Sequence, residues 1–426
     1  MPQSLSHNQA GPAAKDHIAS GDDGGRLTPG FRDAISGDTP EAGFAAAAEL
    51  LVADAVKARA TDIHLDPRKD TMAVRLRIDG VLYDALDLPK PRGLHVLRHL
   101  QVSAGIDAAT KPDVHDGHAA VSLGDRKVNL RVASIPSVLG DKLSIRVLDP
   151  GRTPFRLEEL GLDRAGEEQL RTWVRQAVGM LLVTGPTGSG KTTTLYALLN
   201  ELARENRNII TLEDPVELTL GSINQVQIDQ SNSPSNISFA GGLTRVLRHD
   251  PDVIAVGEVR DAETAEIAID AALSGHILLS SLNARDAAGA VSLLRNLGVK
   301  DYQIVAALRV LISQRTFRLL CDSCRSNRPP SGAERAWIEE NHLETPDRVF
   351  DAPGCDRCLG TGYRGLTAAF ELWNIDENGH DLLLDHADEK SLRAHLREIG
   401  VRSIRDNALA KARAGKVSLA DVACLR

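Results

Sequence analysis

Aromatic side chains are almost missing from this 426-residue chain, where Phe, Trp and Tyr together make up 3%. A core must therefore come from Ala, Leu, Val and Ile, within an apolar content of 42% that is ordinary for globular proteins. Long apolar runs are missing too: none approaches the roughly 18 residues of a membrane-spanning helix. The start, Met1-Pro-Gln-Ser-Leu-Ser-His7, lacks the basic-then-apolar pattern of a secretory signal. These absences predict a cytoplasmic protein whose attachment to a membrane runs through a partner. Basic residues are not in excess: 50 against 58 acidic ones leave a net charge of −8, which argues against general nucleic-acid binding. Repeats and low-complexity tracts are absent. Cysteines number only five, yet two Cys-x-x-Cys pairs stand among them, and in a reducing compartment such pairs point to metal rather than disulfides. Cys424 is left over as a small tail residue.

The length predicts two to three domains. Residues 1–40, rich in Gly, Ala, Ser, Asp and Pro without periodicity, are expected to be a disordered leader. Residues 41–150 predict an α+β domain: a helix near Phe44–Ala60, alternating strands at Thr61–Leu65 and Met72–Ile78, and an Asp79-Gly80 hairpin turn into Val81–Tyr83. A helix near Arg92–Ala104 and strands at Ala119–Leu123, Val128–Ser134 and Lys142–Leu148 complete it. Asp149–Pro154 reads as a linker. Over 155–320, strands such as Met180–Thr184, Asn208–Leu212, Val253–Val256 and Ile277–Leu282 alternate with helices, the pattern of a wound α/β core. Residues 321–365 hold the paired cysteines, and 366–426 are expected to be a helical C-terminal region.

The chemistry is densest at Gly185-Pro186-Thr187-Gly188-Ser189-Gly190-Lys191-Thr192, followed by Thr193. A buried strand, this loop and a helix start match the triphosphate cradle G-x-x-x-x-G-K-[ST]. Glycines let successive N–H groups face phosphate oxygens, and the helix start adds partial positive charge. Lys191 is expected on the β- and γ-phosphates and the Thr192 hydroxyl on Mg²⁺. The ligand is ATP or GTP.

Three further segments follow strands or precede them. Glu213, Asp214 and Glu217 follow an apolar strand, either to hold Mg²⁺ or orient water, or simply as an acidic cap on the next element. Leu247–Asp261 carries a strand ending at Gly257-Glu258, and Glu258 is the candidate for polarising the attacking water. Arg260 and Asp261 are expected to pair. Arg245 and Arg248 are candidates for charge stabilisation in trans, or ordinary surface pairs. His276 is either a sensor of the γ-phosphate or a packed, solvated histidine. Cys321, Cys324, Cys355 and Cys358 form a four-thiolate set suited to a structural Zn²⁺; unrelated free pairs and a redox dithiol are the alternatives.

Together, Thr61–Pro67, Arg75–Val81, Gly185–Thr194, Glu213–Glu217, Leu247–Asp261, Ser274-Gly-His276 and the four cysteines with Gly360–Arg364 resemble the type II secretion and type IV pilus assembly ATPases, the GspE/PulE/PilB-like family. The resemblance runs from about residue 45 to 370, in family order. It implies a RecA-like P-loop NTPase core, an N-terminal α+β PAS-like domain joined flexibly to it, and a small zinc-binding C-terminal module. It also implies a homo-oligomeric ring, a hexamer, with ATP near subunit boundaries. The carried-over roles are Walker A at 185–192, an acidic box at 211–217, Walker B ending at Glu258 and a histidine box beginning at His276. Arg75 and Arg77 share one strand face, and Arg77 is expected to reach nucleotide.

This chain departs from the family at three places. Leu282-Asn-Ala-Arg-Asp286 puts Asn283 where a second histidine is usual, and Asn neither titrates nor carries charge. His115-Asp-Gly-His118 replaces a Gln-Asp-Gly-Arg run, removing a guanidinium. The large N-terminal docking domain of many members is expected to be absent here.

The function expected is an ATPase: a hexameric motor, with ATP, Mg²⁺ and Zn²⁺, acting on an inner-membrane platform protein of a secretion or pilus system. Glu258, Glu213 and Lys191 carry the catalysis. The chain is expected at the cytoplasmic side of the inner membrane with no transmembrane segment and no nucleic acid. A pilus retraction motor, which generally lacks the cysteines, a weakly hydrolysing ATP-binding regulator or scaffold, and a DNA-translocating ring are the alternatives.

Overall fold

The computed structural model describes residues 26–35, 43–106, 114–124, 126–152, 156–176, 178–228, 237–341 and 343–425. The chain divides into two units, Met1–Asp149 with Pro353–Gly362, and Pro150–Ala352 with Tyr363–Arg426.

In the first unit, strands β1 (Ala60–Pro67), β2 (Thr71–Ile78), β3 (Val81–Pro89), β4 (His115–Leu123), β5 (Arg126–Ser137) and β6 (Gly140–Leu148) form an antiparallel sheet in the order β3-β2-β1-β6-β5-β4. Alternation decides which face is buried. Ile63, Leu65, Met72, Val74, Leu76, Leu130, Val132, Leu143 and Ile145 join one core with Leu51, Val52, Val96 and Leu97 from helices Gly43–Lys57 and Lys90–Ser103. The other face carries Asp62, His64, Arg75, Arg77, Arg131 and Arg146, which oppose one another across the strands. Asp79 and Gly80 turn the β2–β3 hairpin with positive φ at both positions, 48° and 85°, the geometry that favours an Asp-Gly pair.

Part of the expected disordered leader is ordered. Pro29–Ile35 is a helix, with Phe31 and Ile35 buried. Leu27, Phe31 and Ile35 recur every four residues and make one apolar stripe into the core, and the Phe31 N–H donates to the buried Asp54 carboxylate at 2.8 Å. Residues 1–25 and 36–40 of that leader lie outside the described residues.

The second unit is built on β7 (Met180–Thr184), β8 (Ile209–Glu213), β9 (Asn224–Gln227), β10 (Val253–Val256), β11 (Ile277–Leu282) and β12 (Leu308–Leu320). After a short ribbon of β13 (Ser326–Arg328) and β14 (Val349–Asp351), β15 (Tyr363–Asn374) returns to the edge. The sheet order is β15-β12-β7-β11-β10-β8-β9, parallel except for β15 against β12. β7, β8, β10 and β11 are buried at every position, which is why they read as short continuous apolar runs. Asp261 and Asp286 cap the helices Ala262–Leu273 and Ala287–Asn296 by accepting from Thr264 N and Gly289 N.

The tail beyond Asp376 reads as short helices, and its helices do start at Glu377; only the first part of the expected 366–426 helical region differs, because residue 366 lies inside β15. β15 is drawn into the sheet because Ala369 and Trp373 are fully buried, and Trp373 packs with Leu383, Leu392 and Leu396 of the following helices.

Candidate functional site

Parallel strands place their carboxyl ends along one edge, where ligands of such sheets bind. At that edge β7 ends at Thr184, and the loop from Gly185 runs to Gly190, the N-cap of helix Lys191–Ala203. Gly188 and Gly190 have φ of 79° and 86°, which a side chain would strain. A Cβ on Gly185 would lie 2.5 Å from Gln314 O and Ser189 Oγ, so the loop has no room for one. Pro186, Thr187 and Gly188 form the exposed tip, while Thr192 and Thr193 are partly exposed in the first helical turn. Lys191 Nζ donates to Gly185 O at 2.7 Å, Pro186 O at 3.3 Å and Asn283 Oδ1 at 2.8 Å. Burial lowers its pKa, with Glu258 opposing that shift and Arg315 adding to it.

Glu258 follows β10 and its carboxylate pairs with Arg260. The Arg260 pKa is raised, chiefly by that bond, with Asp214 contributing. The expected Arg260–Asp261 pair does not form, because Asp261 faces its own helix as the cap. Glu213 ends β8 at the same edge but is buried, accepting from Thr211 Oγ1 at 2.5 Å, Tyr196 OH at 2.5 Å and Gln225 Nε2 at 2.9 Å. Burial first, then the Glu213 bond, pushes the Tyr196 phenol far up, so it stays a donor. Glu213 thus ties β8 to the phosphate-loop helix.

His276 does not join this cluster within the chain. It precedes β11, whose Leu278 pairs with Met180 at the start of β7 and whose Leu282 pairs with Thr184 at its end. The imidazole therefore lies at the opposite edge of the sheet, where Nδ1 contacts Ser274 Oγ at 3.0 Å and Ala271 O at 3.1 Å. Asn283, which follows β11, occupies the loop edge instead. Thr184 Oγ1 accepts from Ala284 N at 3.0 Å and donates to Ala284 O at 3.2 Å, holding that segment beside the loop. The signal was in the sequence: in a parallel sheet, residues after a strand share the edge of the phosphate loop and residues before it do not.

Arg77 lies in the first unit, 3.7 Å from the Asp62 carboxylate and donating to Gly80 O at 3.0 Å, while Arg75 pairs with Asp66 at 2.5 Å. Arg245 and Arg248 are exposed around the end of helix Phe239–Val246.

The four cysteines come together. Ribbon β13–β14 pairs Ser326 with Asp351, drawing the flanking turns together, and the four Sγ atoms all lie within 4.8 Å of one another. Cys355 and Cys358 Sγ are 3.8 Å apart, about the separation that ~2.3 Å zinc–sulfur bonds at tetrahedral angles require. Cys355 N and Gly362 N donate to Cys358 Sγ at 3.1 and 3.2 Å, as suits a thiolate acceptor. The set is compatible with zinc.

A family model described as Type II/IV secretion system protein matches residues 41–424. The chain belongs to this family. It is 38% identical over 372 residues to the type II secretion system ATPase E of Vibrio cholerae, covering 87% of this chain and 73% of that protein. To the type IV pilus assembly ATPase PilB of Myxococcus xanthus it is 36% identical over 384 residues, 88% of this chain and 66% of the relative. Among solved structures, the Legionella pneumophila ATPase DotB aligns with a TM-score of 0.65 at 20% identity, covering 88% of this chain and 93% of DotB. The ADP-bound pilus retraction motor PilT aligns with a TM-score of 0.59 at 22% identity, over 88% and 95%. Those two likenesses speak for the fold. No described helix is long and apolar enough to cross a membrane.

Sequence reading passed over the residues of this family member that brace the loop from β12. Buried Gln314 donates to Ser189 O at 2.6 Å and accepts from Thr194 Oγ1 at 2.8 Å, and Thr316 Oγ1 donates to Gly188 O at 2.9 Å. Glu371 of β15 was also missed. It is buried, accepts from Ala287 N at 2.8 Å, and so anchors the helix that follows Asn283. Burial, reinforced by Asp286 against the Ala287 bond, pushes its pKa up to about 7 from 4.5. The folded state then holds more protons than the unfolded one between those values, so stability falls as pH rises through that window. Glu371→Gln keeps the acceptor without the charge. Chemical denaturation should find it about 1–3 kcal/mol more stable than wild type at pH 8, the two converging towards pH 4.5. A constant difference across pH would show that Glu371 is not the titrating group.

Proposed function

We propose that this chain is an ATP-hydrolysing motor that powers type II protein secretion or type IV pilus or pseudopilus assembly, working as a hexameric ring on an inner-membrane platform protein. One observation carries the reading: Lys191, on the loop after β7, and Glu258, after β10 with β11 between the two strands, share the carboxyl edge of one parallel sheet. Lys191, already turned onto the loop rim, would exchange its carbonyl and Asn283 acceptors for phosphate oxygens. Glu258 would orient the attacking water, and Glu213 would act through Tyr196 by fixing the helix that carries Lys191 and Thr192. Thr192 would hold Mg²⁺, which when bound neutralises charge on the phosphates. Arg245 and Arg248 are assigned to a neighbouring subunit's nucleotide. In this reading the first unit is a PAS-like domain, moved by the nucleotide state and bringing Arg77 to the nucleotide. The four cysteines hold a structural zinc and favour the secretion and assembly branch over retraction.

Phosphate release by the purified chain tests the proposal. Wild type should turn over ATP, and Lys191→Ala should lower the rate by about 10²–10³-fold. A wild-type rate no higher than that variant's would leave an ATP-binding regulator or scaffold. Stimulation by DNA that disappears with added salt would indicate a DNA-translocating ring.

A further inference from the structure

We propose that Arg285 and Arg315 are a second set of phosphate contacts, closing on the terminal phosphate of the nucleotide from the side of the loop opposite its helix. The proposal rests on the nucleotide reading of the loop above. Two segments place these residues there. Arg285 stands two positions after Asn283, which binds Lys191, and directly after Ala284, which is held to Thr184. Arg315 sits between Gln314 and Thr316, whose side chains both grip the loop, so β12 alternation turns it away from that grip. On that face its strand neighbours are Ser313 and, across to β15, Ala369 and Glu371, the residue that anchors the segment following Arg285.

The charges around these two guanidiniums do not balance. Neither has a hydrogen-bond or ion-pair partner among the described residues. They are close enough to act on one another, and Arg315 also acts on Lys191. Burial and Arg285 both lower the Arg315 pKa, and only Asp286 opposes them. Asp286 is committed elsewhere: it accepts from Gly289 N at 2.8 Å and from Arg393 at 2.8 and 3.2 Å. Glu258, the acid acting on Lys191, is paired with Arg260. A lone surface arginine without a partner is ordinary. Two neighbouring like charges, one of them partly buried and both beside a phosphate-loop lysine, oppose each other until an anion arrives. A phosphate offers what the planar guanidinium fork matches, two oxygens at once. Arg285 also supplies in this chain a charge that Asn283 cannot carry.

The test compares full-length wild type, Arg285→Gln and Arg315→Gln in three measurements: affinity for ADP, affinity for a non-hydrolysable ATP analogue, and thermal midpoint without nucleotide. Lys191→Ala serves as the control that weakens both nucleotides. Each glutamine variant should lose about 10- to 100-fold in affinity for the ATP analogue and much less for ADP. Its nucleotide-free midpoint should hold or rise, because like-charge repulsion is relieved. Arginine to lysine at either position should restore part of the preference. Equal losses for both nucleotides, no loss, or a lowered midpoint without nucleotide would overturn the assignment. If wild type bound neither nucleotide, the loop reading itself would fall, and this proposal with it.

Discussion

Glu258→Gln should lower ATP turnover by about 10²–10⁴-fold, the range for removing a positioned general base, while leaving nucleotide affinity near that of wild type. The loss corresponds to roughly 3–5 kcal/mol of barrier. The geometry separates turnover from binding. Glu258 reaches the site from the end of β10, whereas the loop's own holds come from Gln314, Thr316 and Asn283. Glutamine keeps the shape and can still meet Arg260, but it cannot accept a proton. The Glu258–Arg260 pair is more than half exposed on the arginine side, so its loss should hardly alter stability. Steady-state phosphate release beside a fluorescent-nucleotide titration reads both quantities. Turnover within about threefold of wild type would remove Glu258 from the chemistry.

The second large effect is expected at the cysteines. Purified wild type should carry about one zinc per chain. Cys321→Ser should strip it and reduce stability by on the order of 4–5 kcal/mol, the scale of a lost metal site. Cys321 is buried, so the serine leaves a hydroxyl with no ion to bind where the thiolate stood. Cys424 is exposed and outside the set, and Cys424→Ser should change neither metal content nor thermal midpoint. A wild type purified free of metal, with the same midpoint as Cys321→Ser, would retire the zinc.

The parts legible in the sequence are those whose local pattern leaves one outcome. Met180–Thr184, Val253–Val256 and Ile277–Leu282 are strands over those same residues, because every position in them is buried and apolar or small. The Asp79-Gly80 turn is also local, since both residues tolerate positive φ. β12 and β15 were harder. Gln314, Arg315, Thr316 and Arg318 interrupt the apolar pattern of β12, and only the sheet shows that two of them face the phosphate loop. The short helix Pro29–Ile35 was hidden by its Gly- and Ser-rich surroundings, although its four-residue apolar spacing was there to read.

His276 and Asn283 show where sequence and tertiary structure divide. They are seven positions apart, at the two ends of β11, and either could have been assigned to the phosphates. The register of β11 on β7 sends Asn283 to Lys191 and His276 to the far edge. By itself the sequence determined the phosphate loop, the acidic strand ends and the paired cysteines, because each depends on residues close together in the chain. Tertiary structure alone decided that Glu213 braces Tyr196, that Gln314 and Thr316 grip the loop, and that Arg285 and Arg315 act on one another with no hydrogen-bond or ion-pair partner among the described residues. Those hydrogen bonds join residues from 17 to 128 positions apart, and only the order and direction of the strands bring them to one edge.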